Sequence, residues 1–450
     1  MQHELTHELI QDLKAATQSA DYTFINNLLD DLHAADISEI IHKLEPEDSI
    51  IILNLLSIED GADVLMHLDD DYRKRFLKEL KTEQLANYLN LIDSDDAADI
   101  VNELPVKRRD DVLVKIPNQE KTAYIIDLLH YEEDCAGGIM AKELVKAKLT
   151  WTVTECIEEI RRQSKNVEKV YSVYVVDDHD RLVGIVQLKK LLLSDGNILV
   201  DEIYDDDIIH VETYKEADEV ARIMQKYDLE SIPVVNVQGK LAGRITIDDV
   251  IDVITEMAEL ERQMMAGISE STEEASSVWL LSKSRLPWLI VGMTGGMLGA
   301  WFMGFFEENI KLIPAMAFFI PLITATGGNV GIQSSSIVVQ ALASGDGLDS
   351  YYGQRLLKGF FVSLINGLAI ASLVFIFNFM LGQDIKLGIV VSVALLSVVI
   401  IASFFGTITP LILDKLAINP ALASGPFITT INDLLGLAIY FVVANLLLSF

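Results

Sequence analysis

The sequence predicts a multidomain membrane protein: an all-α superhelical N domain, a tandem pair of α/β domains, a connecting helix and a five-helix transmembrane domain. Three observations predict it. Half of the 450 residues are hydrophobic and the mean hydropathy is +0.32, yet the long uncharged runs lie almost entirely after Pro287. A 12-residue apolar repeat fills the first 130 residues, and a 59-residue duplication follows it.

The first repeat is read by stepping through the chain. Every twelfth residue from Leu32 gives Leu32, Leu44, Leu56, Leu68, Leu80, Ile92, Leu104, Ile116 and Leu128. The residue four earlier gives Ile40, Ile52, Val64, Phe76, Tyr88, Ile100, Val112 and Tyr124. An apolar pair at i and i+4 marks one helical stripe. Acidic caps and a proline punctuate the pairs ("LEPED", "LSIEDGAD", "IDSDD", "LPVKRR"), so each unit is predicted as a short helix and a turn. Stacked units bury the stripe as a helical superhelix.

The second repeat aligns "SVYVVDDHDRLVGIVQLKKLL" from Ser172 with "SIPVVNVQGKLAGRITIDDVI" from Ser231 without a gap. Tyr174 falls on Pro233, Gly184 on Gly243 and Leu191 on Val250. Each copy reads as strand, turn, strand and helix, with an amphipathic helix upstream ("VTECIEEIRRQ", "KEADEVARIMQKY"). This β-α-β-β-α pair resembles tandem cystathionine-β-synthase-type (CBS) domains. The resemblance implies a regulatory module whose cleft can take a nucleotide or an ion.

From Asp248 the pattern "DDVIDVITEMAELE" continues as helix, the expected mechanical link to the bilayer. Five apolar segments follow, at about 286–306, 312–341, 357–381, 386–413 and 424–448, each near the ~20 residues a spanning helix needs. Lys283 and Arg285 precede the first, and Arg355 and Lys358 lie between the second and third. The positive-inside rule then puts the N-terminal half in the cytosol and, with five spans, the C-terminus outside.

Charge is as uneven as hydropathy. Five bases and seven acids from Leu286 onward account for −2 of the net −32, leaving −30 on residues 1–285. Such a surface repels nucleic acid and anionic lipid and attracts cations. Cys135 and Cys156 have neither CxxC spacing nor a secretory context and are expected as reduced thiols. "MQHELTHELIQDL" has no basic region followed by an apolar core, so no cleavable signal is expected.

Two membrane segments carry chemistry. "PLITATGGNVGIQSSS", from Pro321, sets Gly327, Gly328 and Gly331 beside Thr326, Asn329 and Gln333. Irregular backbone at bilayer depth is tolerated only inside protein or beside a water-filled cavity, so this span is expected to be broken and to line a pore. Gly327 and Gly331 also have the spacing of a small-residue packing face, and the two readings are compatible. The last span, "PFITTINDLLGLAIYFVVANLLL", holds Asp433 with Thr429, Thr430 and Asn432 beside it. A carboxylate at bilayer depth costs roughly 2.5–3.5 kcal/mol on insertion scales and marks an ion pathway or a buried pair. No Lys or Arg sits at comparable depth, so the counter-ion must come from outside the protein. No histidine lies beyond His210, and oxygen-only donors favour Mg²⁺ or Ca²⁺. The same absence removes an intramembrane metalloprotease, which needs HExxH on a membrane helix, and no other enzyme chemistry is expected.

With "YEEDCAGGIM", "TGGNVGIQ" and "NPALASGPFITTINDLLG" in this order, the chain resembles the MgtE family of magnesium channels over essentially its whole length. The resemblance implies a helical N domain (1–132), a CBS pair (133–257), a connecting plug helix and linker (258–284) and a pore domain (285–450) of a homodimer. It implies a pore cation site at Asp433, with Asn432, Thr429, Thr430, Asn329, Gln333, Thr326 and Gly328 around it. It also implies cytosolic Mg²⁺ sensing by Asp63, Asp95 and Asp99 of the N domain with Asp218, Asp228, Asp249, Asp252 and Glu261 of the CBS domains and plug. Acids facing each other across a domain boundary repel until divalent cations screen them, which suits that role. Asn419 and Gly425 stand where the family often has Asp and Asn. Lys190 and Leu229 replace the acid and aromatic of nucleotide-binding relatives, whereas Thr246 and Asp249 keep a ribose-binding pattern, so an ATP site is only half carried. A cation-coupled carrier of the same fold is the alternative to a channel.

Overall fold

The computed structural model describes residues 7–30, 32–163, 170–269, 277–343, 352–382, 384–416, 418–423 and 425–448. Residues 1–6 and residues 270–276 of the expected linker lie outside the described residues. The chain forms two compact units, Met1–Thr255 and Glu256–Phe450.

Among the described residues of the first unit, ten short helices run from His7–Ser19 to Gln119–Leu128. The 12-residue stripe is their core: Ile40, Ile52, Val64, Phe76 and Val112 are wholly buried, and Leu44, Leu68, Leu80, Ile92, Leu104, Ile116 and Leu128 nearly so. Helix starts follow the acidic punctuation. Ser57 accepts from the Asp60 amide, and Asn118 accepts from those of Glu120 and Lys121.

The duplication survives at the level of backbone pairing. Strands Lys146–Lys148, Ser172–Val176 and Leu182–Gln187 form one three-stranded sheet, and Val211–Glu212, Ser231–Val235 and Leu241–Thr246 form the other. In each the first pair is parallel and the second antiparallel, with a bulge at Val175/Val176 and at Val234/Val235. Helices Val153–Gln163 and Ala217–Tyr227 make the crossovers that parallel strands need. "CAGGIM" joins the N domain to the second copy. The amides of Ala136 and Gly137 donate to the Lys215 and Thr213 carbonyls, both at 2.7 Å. A Cβ on Gly138 would lie 2.3 Å from the Glu132 carbonyl oxygen, so the turn demands glycine. One hydrophobic core consequently runs from the N domain through Ala136 and Met140 to Val234 and Ile245, while the first CBS copy keeps its own core around Val153, Val173 and Leu191.

Among the described residues of the second unit, five helices are long and apolar enough to cross a membrane: Val278–Gly304, Pro314–Leu342, Gly353–Met380, Ile385–Lys415 and Pro420–Leu448. The fourth is the most buried and packs against the second, third and fifth. Tyr440 and Phe441 fill the core beside it. The Tyr440 hydroxyl donates to the Met316 carbonyl at 3.0 Å, and Phe306 stacks on Phe441 at 4.4 Å.

The second span corrects one expectation: Ile320–Ala343 is an unbroken helix. Its glycines serve close approach. A Cβ on Gly331 would meet the Asn432 amide nitrogen at 1.8 Å, and one on Gly327 would meet Val398 at 3.0 Å. The small-residue packing reading therefore describes the backbone. The least yielding approach is backbone to backbone, since a Cβ on Gly406 of the fourth span would lie 2.5 Å from the Gly331 carbonyl oxygen. Gly406→Ala is expected to cost about 1–3 kcal/mol through overpacking. Gly359→Ala, whose Cβ would find only Thr407 at 3.7 Å, should cost little. Thermal unfolding of the two variants in detergent checks this, and equal midpoints would contradict the packing argument.

Candidate functional site

The fifth span places the expected pore residues on different faces of one helix. Pro426 opens helix Pro426–Leu448, where its missing N–H is harmless. Asp433 is half-buried one turn beyond Thr429. A Cβ on Gly328 would be 3.6 Å from Asp433 Oδ1 and 3.1 Å from Thr429, so Asp433, Thr429 and Gly328 are brought together. Thr430 instead packs on Gly295 of the first span, whose added Cβ would lie 2.1 Å from it. Asn432 is buried against Gly331, with both amide atoms unpartnered among the described residues. Thr326 turns its hydroxyl back to the Leu322 carbonyl at 2.6 Å. Asn329 and Gln333 lie on an exposed stripe with Pro321, Ala325 and Ile337, every fourth residue of the second span. Two amide side chains on an apolar helix face await a polar partner there.

The end of the connecting helix reaches the loop before the fifth span. Helix Ile247–Met265 is continuous, and Asn419 Nδ2 lies 3.5 Å from Met264 Sδ. Gly425, with φ +59°, leaves room for the Met265 carbonyl oxygen, 2.7 Å from where its Cβ would be. The departure from the family's Asn at this position thus has a steric use that sequence reasoning missed.

The first unit holds a cavity of about 1290 Å³ between the N domain and the CBS pair. Asp63, Asp93, Asp95, Asp96, Asp248 and Asp249 line one side. Asp95 is 6% exposed and its Oδ1 has no hydrogen-bond partner among the described residues. Burial, then Asp96, Asp249, Asp93 and Glu143, holds its carboxyl well above the usual carboxylate range. Burial and then Asp249, Asp93 and Asp99 push Asp96 up to about 8, against the pull of Arg73. Asp249 is pushed up to about 6 by burial, opposed by its bonds from Thr246 and helped by Asp248 and Asp93. An orphaned carboxylate oxygen among carboxylates that resist ionising together fits a hard divalent cation.

The other expected sensor residues are dispersed. Asp99 and Asp252 are exposed, and Asp218 is ion-paired with Arg222 on its own helix. Asp228 closes helix Ala217–Tyr227 in the left-handed conformation, φ +54°. Glu261 belongs to the second unit. Among the described residues no three of His, Cys, Asp and Glu converge tightly enough to hold a metal by themselves. Thr246 donates from its amide and its hydroxyl to Asp249 Oδ2, each at 2.7 Å, so the ribose-binding pattern is engaged in a helix cap. Sequence reasoning missed Asp93, Asp96 and Asp248, and also the basic residues of this junction: Lys121, Lys142 and Arg244. "IDSDD" was a visible acidic cluster; the bases are scattered over more than 120 positions and gave no signal.

Comparison with known proteins decides the family. Residues 320–443 match the MgtE divalent cation transporter model, 32–134 the MgtE intracellular N domain, and 136–195 and 200–256 CBS domains. The chain is 33% identical to the magnesium transporter MgtE of Thermus thermophilus, over 99% of this chain and 100% of that protein. The chain belongs to the MgtE family of magnesium transporters. The Enterococcus faecalis MgtE is 35% identical over 93% of this chain and 92% of its own length. A solved structure of the cytosolic domain of the Mg²⁺ channel MgtE in complex with ATP matches 54% of this chain and 99% of its own, at 32% identity and a TM-score of 0.51. Like other members of this transporter family, the chain is no enzyme. It is a multi-pass membrane protein whose N-terminal domains are cytosolic.

Proposed function

We propose that this MgtE-family member is a homodimeric Mg²⁺ channel of the inner membrane, importing magnesium and closed by intracellular Mg²⁺. The observation that carries it is Asp433, an unpaired carboxylate in a membrane span, set beside a glycine and one turn from a threonine hydroxyl. The exposed stripe with Asn329 and Gln333 supports a second copy facing it, since polar side chains in an apolar span favour protein over lipid. Mg²⁺ sheds water reluctantly, so one carboxylate per chain with hydroxyls and carbonyls around it suits a largely hydrated ion. With five spans and basic residues at the start of the first, the C-terminus lies outside.

Asp95, Asp96 and Asp249 would draw the regulatory ion in as a hydrated cation, with water supplying most of its ligands. Asp63 lines the same cavity, and Asp99, Asp218, Asp228, Asp252 and Glu261 extend the acidic surface. Thr246 and Asp249 are bonded to each other and Lys190 offers no acceptor, so this reading gives ATP no part in gating.

Patch recordings of the purified full chain test it: discrete currents carried by Mg²⁺ are expected, falling as cytosolic Mg²⁺ is raised. Transport that runs only with a coupled ion gradient would establish the carrier instead.

A further inference from the structure

The third and fourth spans leave a groove of about 420 Å³ between them, and none of the pore residues named above lines it. Gly359 and Ser363 of helix Tyr352–Met380 meet Ser403 and Thr407 of helix Ile385–Lys415 there, between Phe360 and Phe404, which are 45% and 47% exposed. Glycine opens the groove: a Cβ on Gly359 would find only Thr407, at 3.7 Å. The lining is almost wholly apolar because its hydroxyls are engaged. Ser363 donates to the Phe360 carbonyl at 2.9 Å, Thr407 donates to the Ser403 carbonyl at 2.8 Å, and the Ser403 hydroxyl accepts from Ser334 at 3.1 Å. A polar ligand would lose its hydration here without recompense, whereas a hydrocarbon chain loses nothing.

Charge marks one end of the groove. Arg355 lies one helical turn before Gly359, and Lys358 one residue before it. Lys358 is exposed and Arg355 partly so, and neither makes an ion pair among the described residues. The one acid of the fourth span, Asp414, stands about two turns beyond Thr407 and next to Lys415. Because the N-terminal domains are cytosolic, two spans bring the chain back to the cytosolic side at Arg355, where the leaflet carries anionic lipid. Side chains on a helix lean toward its N-terminus, here toward the headgroups, so both bases reach the interface while their stems stay on apolar surface.

We propose that this groove is a site for an anionic phospholipid of the cytosolic leaflet. One acyl chain lies along Gly359 between the third and fourth spans, and the phosphate is held by Arg355 and Lys358. The glycine admits the chain and the two bases select the headgroup. The third span packs chiefly on the fourth, so a lipid seated between them completes a contact that the protein alone leaves open. The site depends on neither the pore nor the sensor proposed above.

Native mass spectrometry of the full chain released from detergent, titrated with phosphatidylglycerol or with phosphatidylcholine of the same acyl chains, tests this. The first lipid bound should be phosphatidylglycerol, at least about tenfold tighter than phosphatidylcholine, since each base near anionic lipid contributes roughly fivefold. In Arg355→Gln/Lys358→Gln the preference should fall to within about twofold of parity, with phosphatidylcholine unaffected. Gly359→Leu fills the groove and should weaken both lipids. Should that variant not fold, two ligands on the wild type replace it. Lysophosphatidylglycerol, with one chain, should bind nearly as well as the two-chain lipid, whereas glycerol phosphate, the headgroup without a chain, should not compete. Equal binding of the two phospholipids to the wild type, or a preference that survives the double substitution, would overturn the proposal. So would displacement by glycerol phosphate, which makes this a free-phosphate site. A Gly359→Leu chain whose oligomeric state changes while lipid binding does not would make the groove a contact between two copies instead.

Discussion

Asp433→Ala abolishes Mg²⁺ uptake into proteoliposomes while the variant elutes as the wild type does and keeps its thermal midpoint or raises it. The asymmetry follows from where the charge sits. A carboxylate deep in a span works against insertion by roughly 2.5–3.5 kcal/mol, so replacing it by alanine removes a cost to the fold. The same replacement deletes the only anion that the described spans hold within their interior, and a divalent ion crossing hydrocarbon has no other charge to meet. What is left beside it, the Thr429 hydroxyl bonded to the Gly425 carbonyl at 3.0 Å and the bare backbone at Gly328, offers dipoles alone. Dipoles without a charge cannot repay the dehydration that Mg²⁺ resists. Uptake reported by an entrapped Mg²⁺ dye gives the answer, and wild-type uptake by the variant would place the cation site elsewhere.

What the sequence disclosed and what it hid divides along the range of the interactions. The 12-residue period is a local signal, one helix and turn per unit, and the residues it picks, from Ile40 to Val112, are the ones found buried. The 59-residue duplication likewise reappears in the paired strands down to the position of the bulge. The glycines of the second span suggest a break, because glycine is a poor helix former, as well as a packing face. Their use depends on Asn432 and Gly406, about 75 to 105 residues further on, which no local pattern connects to them. Asp228 shows a role that composition cannot reveal: its backbone closes a helix at positive φ. The junction was half legible: acidic clusters stand out in an acidic chain, whereas Lys121, Lys142 and Arg244 gain meaning only when the fold brings them to the carboxylates.

Neutralising the sensor should lock the channel open. In Asp95→Asn/Asp249→Asn, currents should persist at millimolar cytosolic Mg²⁺, where the proposed gating shuts the wild type. Two effects of the substitutions oppose each other. Unit charges about 4 Å apart repel by roughly 1 kcal/mol at water's dielectric constant and roughly 4 kcal/mol at an effective value of 20, so removing them favours a tight junction. Removing them also deletes the donors for a bridging cation, and a bridge contributes more than relief of repulsion because it replaces a repulsive contact with two attractive ones. Burial decides between them. Asp95 and Asp249 sit where desolvation already raises their proton affinity, so part of the repulsion is relieved by protons before any metal arrives. The cation must therefore act chiefly by bridging, and its loss outweighs the relief. The variant should therefore fail to close. If the double variant is instead closed at every Mg²⁺ concentration, repulsion between these carboxylates is what opens the channel, and the bridging account is wrong.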